Sequence, residues 1–208
     1  MVLSQKLIIK FYKAKHTIMK KLTIIVSAFL LLTSFKTLNE VWKNDAAHSQ
    51  LGFTVTHLGI SDISGGFNDF DAKVTSSKPD FSDAVFELTA KVNSIDTRVE
   101  ARDNHLKSAD FFDVIKYPDL KFKSTSLKKA GKDKFQLAGD LTLHGITKDV
   151  ILDLEYKGTV ENPMSKKQTT GFKLTGTIKR SDYSLGSGFP EAIVSDEVRV
   201  EANGKFVQ

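Results

Sequence analysis

The chain has 208 residues, of which 40% are hydrophobic and 26% charged, the size and balance of one folded domain with room for an appendage. It contains no cysteine, which excludes disulfides, thiolate nucleophiles, thiolate metal ligands and a lipid-modified N-terminal cysteine. The formal charge of +5 belongs to the front: the first 36 residues hold seven lysines and no acid, leaving 23 basic groups against 25 acidic ones, a net of −2. A binder of phosphate backbones carries its excess positive charge on the folded domain, so nucleic acid is not an expected partner.

From Met19 the chain reads MKKLTIIVSAFLLLTSFK. Lys20 and Lys21 followed by the apolar run 22–32 form the layout of a secretory signal, and eleven residues are too few to span a bilayer comfortably. Thr33, Ser34 and Phe35 make a poor cleavage site, which leaves an uncleaved anchor open. Residues 1–18 precede a complete signal, so Met19 is the expected true start. Residues 1–38 are therefore read as an upstream extension plus signal peptide, and 39–208 as the folded domain, expected to be periplasmic or secreted.

From Gln50 onward apolar residues alternate with polar ones, the period of half-buried strands. Phe53, Val55 and His57 share one phase; Phe70, Ala72 and Val74 follow, then Phe86, Leu88, Ala90 and Val92. Later come Leu120 and Phe122, and then FQLAGDLTLHG (135–145), in which Phe135, Leu137, Gly139, Leu141 and Leu143 point one way. Val150, Leu152, Leu154 and Tyr156 continue the pattern, as do Phe172, Leu174, Gly176 and Ile178, and finally Val198, Val200 and Ala202. About eight strands emerge. Short connections read as turns, such as Ser64-Gly65-Gly66 and Lys129-Ala130-Gly131-Lys132, leave no room for crossover helices, so the sheet is expected to be antiparallel. One helix is predicted after Thr97, where T-x-x-E with Glu100 suggests a capping box and Pro118 bars continuation. A single short helix cannot cover eight half-apolar strands, so the sheet must close as a barrel or fold as a sandwich. Inward Gly139 and Gly176 suit bends or thin walls, but periodicity alone does not decide between a filled interior and one that holds a guest.

The chemical motifs are sparse. His48, His57, His105 and His144 lie on separate segments without metal-ligand spacing, and they read as turn or strand-end hydrogen-bonding residues. A fold-assembled histidine and carboxylate site at a barrel mouth, using His57, His105 or His144, is the alternative. Asp69-Phe70-Asp71 places two carboxylates outward around an inward ring. Gly186-Ser187-Gly188 lacks nucleophile-elbow spacing, and there is no Walker or dinucleotide fingerprint. The cluster RDNHLKSADFFD (102–113) stands out. Phe111 and Phe112 would plug the core or line a lid, and Arg98, Arg102 and Lys107 are candidate donors to an anionic head group.

Seven motifs occur in order: DAAHS (45–49), FTVTHLG (53–59), GGFNDF (65–70), SIDT (94–97), RDNHLKSADFFD, YPDLKFKS (117–124) and GDLTLHGITK (139–148). Together they make residues 42–207 resemble the YceI-like family of lipid- and polyisoprenoid-binding proteins. RSDYSL (180–185) departs from the pattern, which usually has glycine in place of Ser184, and puts that turn in question. The resemblance implies an all-β, extended antiparallel lipocalin-like barrel with one short helical segment, exported in many members, whose tunnel holds a long isoprenoid, isoprenoid quinone or fatty-acid-like lipid. The leading expectation is a binding protein, not an enzyme, with no cofactor or metal and with transient membrane contact; family association adds a membrane cytochrome or quinone-linked partner. The expected tunnel lining is Phe53, Val55, His57, Phe70, Phe86, Leu88, Phe111, Phe112, Phe122, Phe135, Leu137, Leu141, Leu143, Leu152, Leu174 and Ile178. A stress-response protein with a solid core is the structural alternative.

Overall fold

The computed structural model describes residues 39–208 and the isolated pair Lys15 and His16; the rest of segment 1–38, expected from the sequence to be an upstream extension and signal peptide, lies outside the described residues. The strands are β1 (Glu40–Asn44), β2 (Gln50–His57), β3 (Ser61–Phe67), β4 (Phe70–Ser76), β5 (Val85–Lys91), β6 (Ile95–Asp96), β7 (Asp119–Gly131), β8 (Lys134–Leu143), β9 (Ile146–Glu161), β10 (Gln168–Lys179) and β11 (Glu197–Val207), with one α-helix within residues 39–208, α1 (Glu100–Lys107).

Eight of these strands close an antiparallel barrel in the order β1-β4-β5-β7-β8-β9-β10-β11. The ring closes where Lys43 and Asn44 of β1 face Val207 and Phe206 of β11. Closure removes the unpaired edges that an open sheet would expose. The other half of β11 pairs with β2, β2 with β3, and β3 with β6, which lengthens the wall beyond the ring. The DAAHS motif makes this change of partner possible. Asp45 caps the 3-10 turn Ala46–His48 by accepting the Ala47 amide, and Ser49 exchanges hydrogen bonds with the Lys205 backbone. A continuous strand is thereby broken into β1 and β2, each paired with a different half of β11.

The alternation of the sequence is the inside and outside of this wall. On β8, Phe135, Leu137, Gly139, Leu141 and Leu143 are all buried while Gln136 and Asp140 are exposed. Strands β1, β3 and β6 were not anticipated by that pattern. Ser64, Gly65 and Gly66 are not a turn but the middle of β3. A side chain at Gly65 would stand 2.6 Å from Thr97 and 2.8 Å from the Phe53 ring, and one at Gly66 would stand 2.7 Å from the Leu51 carbonyl, so these glycines serve close packing between layers. The β7–β8 hairpin turns two residues later than the sequence suggests, at Lys132 and Asp133, with Asp133 at φ 56.

The expected capping box does not form. α1 begins at Glu100 with Val99 in the capping position and no side-chain cap. Arg98, at φ 67, turns the chain between Thr97 and the helix. Thr97 instead donates its amide (2.8 Å) and hydroxyl (2.5 Å) to Oδ1 of Asp103 in the first helical turn. Helix and β6 are tied in the reverse sense, with the carboxylate on the helix.

Candidate ligand-binding cavity

One end of the barrel is filled. Trp42, Phe81, Phe86, Phe135, Leu154, Phe172 and Phe206 form a buried cluster, and Phe172 packs edge-on against Phe81 (5.2 Å) and Phe86 (5.1 Å), the geometry aromatic rings prefer. Above this floor lies an inner cavity of about 150 Å³, whose walls include Leu137, Leu141, Leu152, Phe172 and Phe206. Beyond it an outer cavity of about 470 Å³ reaches α1 and residues 185–194, within the ~300–1,000 Å³ typical of small-molecule sites. Leu51, Leu120, Ile178 and Val200 face both spaces, so the two adjoin at a waist. The inward glycines make room for the neighbouring side chains of the wall. At Gly139 a Cβ would meet the Phe122 ring at 2.6 Å, and at Gly176 one would overlap the Leu152 side chain.

The outer opening is built from two irregular segments. Phe111, just after α1, stacks on Phe189 at 4.8 Å, and His105 stands edge-on to both at 5.2 and 5.6 Å. Gly186, at φ 58, lies under Phe111, where a Cβ would come within 2.5 Å of the ring. Phe112 turns the other way and packs edge-on against Phe67. The segment carrying Phe189 is held by Arg180, only 8% exposed. Its Nε donates to the Ser195 carbonyl, Nη1 to Leu185 and Gly186, and Nη2 to Phe189 and Val194. All five guanidinium hydrogens are thus used on backbone oxygens, the full donor capacity of the group.

Among the described residues, the polar side chains that reach the outer cavity are His57, Thr97, Arg102, His105 and Arg180. Arg102 gives Nε to the Thr97 hydroxyl (2.7 Å) and Nη2 to the Thr97 carbonyl (2.6 Å); its Nη1 has no partner among the described residues. The histidines are dispersed: His48 bonds Asp45, His105 bonds Asp110, and His144 bonds the Tyr183 carbonyl. Tyr183 is 1% exposed, and its hydroxyl has no partner among the described residues. Burial, with Asp182 adding to it, pushes its pKa up to about 12.

Fifteen of the sixteen residues expected to line a tunnel do face one of the two cavities. Phe135 does not: it is buried in the aromatic floor, because the strand period reports which face a residue takes and not how deep along the axis it lies. Of the three candidate head-group donors only Arg102 faces a cavity. Arg98 is exposed in its left-handed turn, and Lys107, half-buried on α1, lines neither space. Sequence reasoning missed the mouth residues Leu185, Phe189, Ile193 and Val194, and also Arg180, since residues 184–196 carry no period. The available signal is SGFP (187–190), where an aromatic sits between glycine and proline in a stretch without period.

These features define a closed antiparallel barrel with an apolar interior, blind at an aromatic floor and framed by a short helix at its mouth. The chain belongs to the YceI-like family, whose domain model matches residues 42–206. A UPF0312 protein of Staphylococcus aureus is 38% identical over 168 residues, covering 78% of this chain and 94% of its own. The crystal structure of the Campylobacter jejuni YceI protein is 33% identical, with a TM-score of 0.68 over 79% of this chain and 95% of that one. The polyisoprenoid-binding domain from Saccharophagus degradans shares the fold at 17% identity, with a TM-score of 0.60 over 80% of this chain and 97% of its own.

Proposed function

We propose that this protein is an exported, non-catalytic carrier that holds one long-chain lipid, an isoprenoid or isoprenoid quinone, inside the barrel and exchanges it with membranes. The observation that carries this reading is the pair of adjoining cavities, walled mostly by apolar side chains. The description of the Saccharophagus degradans neighbour as a polyisoprenoid-binding domain supports it, as does family membership. The apolar run 22–32 supports export.

Burying each methylene from water is worth ~0.8 kcal/mol, so a lipid of tens of carbons would be held almost irreversibly if water were its source. Its source is a bilayer, however, and hydrocarbon moving from one apolar surrounding to another gains little. Reversible exchange follows, which suits carriage better than a trap. The chain would lie along the two cavities, with its head at the mouth beside Arg102 Nη1, His105 and His57.

Transient membrane contact has a suitable rim. Leu58 is 55% exposed at φ 53, and Ile60 is 87% exposed. Their hairpin tip is pinned to the other wall of the mouth by the Leu58 amide on the Ile193 carbonyl (2.9 Å). A leucine held in a left-handed turn and left in solvent is explained neither by backbone preference nor by packing. Contact with lipid explains it.

The test is to incubate the purified protein with vesicles containing a polyprenol or isoprenoid quinone, reisolate it, and identify bound lipid by native mass spectrometry. One lipid per chain is expected; repeated failure to acquire any lipid overturns the reading.

A further inference from the structure

We propose that Phe81 is the stopper that sets how long a lipid chain the barrel accepts, acting as a positioning residue through Phe172. This deepens the carrier reading and rests on it.

The inner cavity ends at Phe172 and Phe206, and behind those rings stands Phe81, 3% exposed, which itself lines neither cavity. Its ring packs at 5.2 Å from Phe172, 5.4 Å from Tyr156 and 5.5 Å from Trp42. It comes from neither β4 nor β5 but from the loop between them, which folds across the barrel end.

That loop is built to hold one ring inward. Phe81 sits at φ 55, a conformation that a bulky residue rarely adopts. Its amide bonds the Lys78 carbonyl, and its own carbonyl accepts the Ala84 amide. Asp83 accepts the hydroxyls of Ser76 and Ser77 and the Ser77 amide, while the Ser76 oxygen accepts the Lys78 amide. Burial alone would raise the Asp83 pKa, but these hydrogen bonds outweigh it and hold the carboxyl at about 2. The strained backbone persists because the loop over-determines it. An ordinary short β-hairpin would have joined β4 to β5 without any of this.

The consequence concerns length. A chain entering at Phe111 and Phe189 must pass the waist and stop at Phe172, because Phe81 leaves that ring no room to fall back. Removing the Phe81 ring would vacate an apolar space on the order of the ~150 Å³ cavities that stay dry and admit apolar guests. That is similar to the inner cavity itself.

The experiment loads the purified full chain, wild type and variants, from vesicles carrying an equimolar ladder of polyprenols of graded length, and reads the bound lengths by mass spectrometry. Wild type should show a sharp upper cut-off. Phe81→Ala should move that cut-off upward by at least one isoprene unit or abolish it, and Phe81→Met should move it by less. The circular dichroism spectrum identifies folded variants; if Phe81→Ala does not fold, Phe81→Met alone carries the test. An unchanged cut-off in a folded variant overturns the stopper while leaving the carrier intact. A wild type that takes up no polyprenol of any length fails the carrier reading instead.

Discussion

The ring of Phe122 occupies the place where a side chain at position 139 would stand. A Cβ on Gly139 falls 2.6 Å from two Phe122 ring atoms and 2.6 Å from the Lys123 carbonyl. Because Phe122 also lines the inner cavity, wall and cavity cannot be altered separately here. Gly139→Ala should cost ~1–3 kcal/mol through overpacking, seen as a lower Tm, and should reduce lipid uptake as the ring is pushed inward. An unchanged Tm with full uptake would show that the wall yields at this point.

The two faces of β8 should respond oppositely to charge. Leu141 is 9% exposed and faces the inner cavity, whereas the Thr142 hydroxyl meets Thr147 on the outer surface. Leu141→Asp should abolish folding or lipid binding, since an unpaired carboxylate cannot be buried cheaply. Thr142→Asp should change stability by no more than ~0.5 kcal/mol. Equal damage in chemical denaturation would contradict the assignment of inside and outside.

Ser184 ends the 3-10 helix Arg180–Tyr183 at φ 55, ψ 26, and its amide bonds back to Arg180 and Ser181. The turn that the departure from glycine put in question is made all the same, in a left-handed conformation that costs serine more than glycine. Ser184→Gly should raise stability by ~0.5–1 kcal/mol, measurable as an upward shift in Tm. A lower Tm would mean that the serine side chain supports the turn.

Asp140 and Asp149 face each other across β8 and β9. Sharing a hydrogen bond with Asp149, helped by burial and charge repulsion, raises the Asp140 pKa. A raised acid favours the folded state while protonated, so its contribution is complete below the ordinary carboxylate pKa and is lost as pH rises through the elevated one. Asp140→Asn should therefore gain Tm over wild type at about pH 7 and lose that advantage by about pH 3. A pH-independent difference would rule out the shared proton.

At the rim, Ile60→Asp should leave Tm within the range of an ordinary surface substitution, ~0.5 kcal/mol or less, yet slow lipid transfer from vesicles severalfold in a stopped-flow assay. Unaltered transfer would show that the hairpin tip does not touch the membrane.

The barrel was legible in the sequence because a closed wall with one apolar face repeats every two residues, and FQLAGDLTLHG is that repeat almost without interruption. The period does not say whether Leu137 and Leu141 meet each other or a guest; the inner cavity they share with Leu152, Phe172 and Phe206 decides that, and those partners are distant in the chain. β3 was hidden because Gly65 and Gly66 resemble a turn until Thr97, Phe53 and Leu51 are seen crowding them. The mouth was least legible. Phe189 and Val194 are ordered by Arg180, whose five hydrogen bonds go to backbone carbonyls and leave no pattern in residue type.

A crystal structure of the protein loaded with a polyprenol bears most directly on the hollow interior. The expected result is elongated density running from Phe111 and Phe189, past Leu51 and Val200, to Phe172. Density bound only outside the wall, or an interior closed by collapsed side chains, would contradict it.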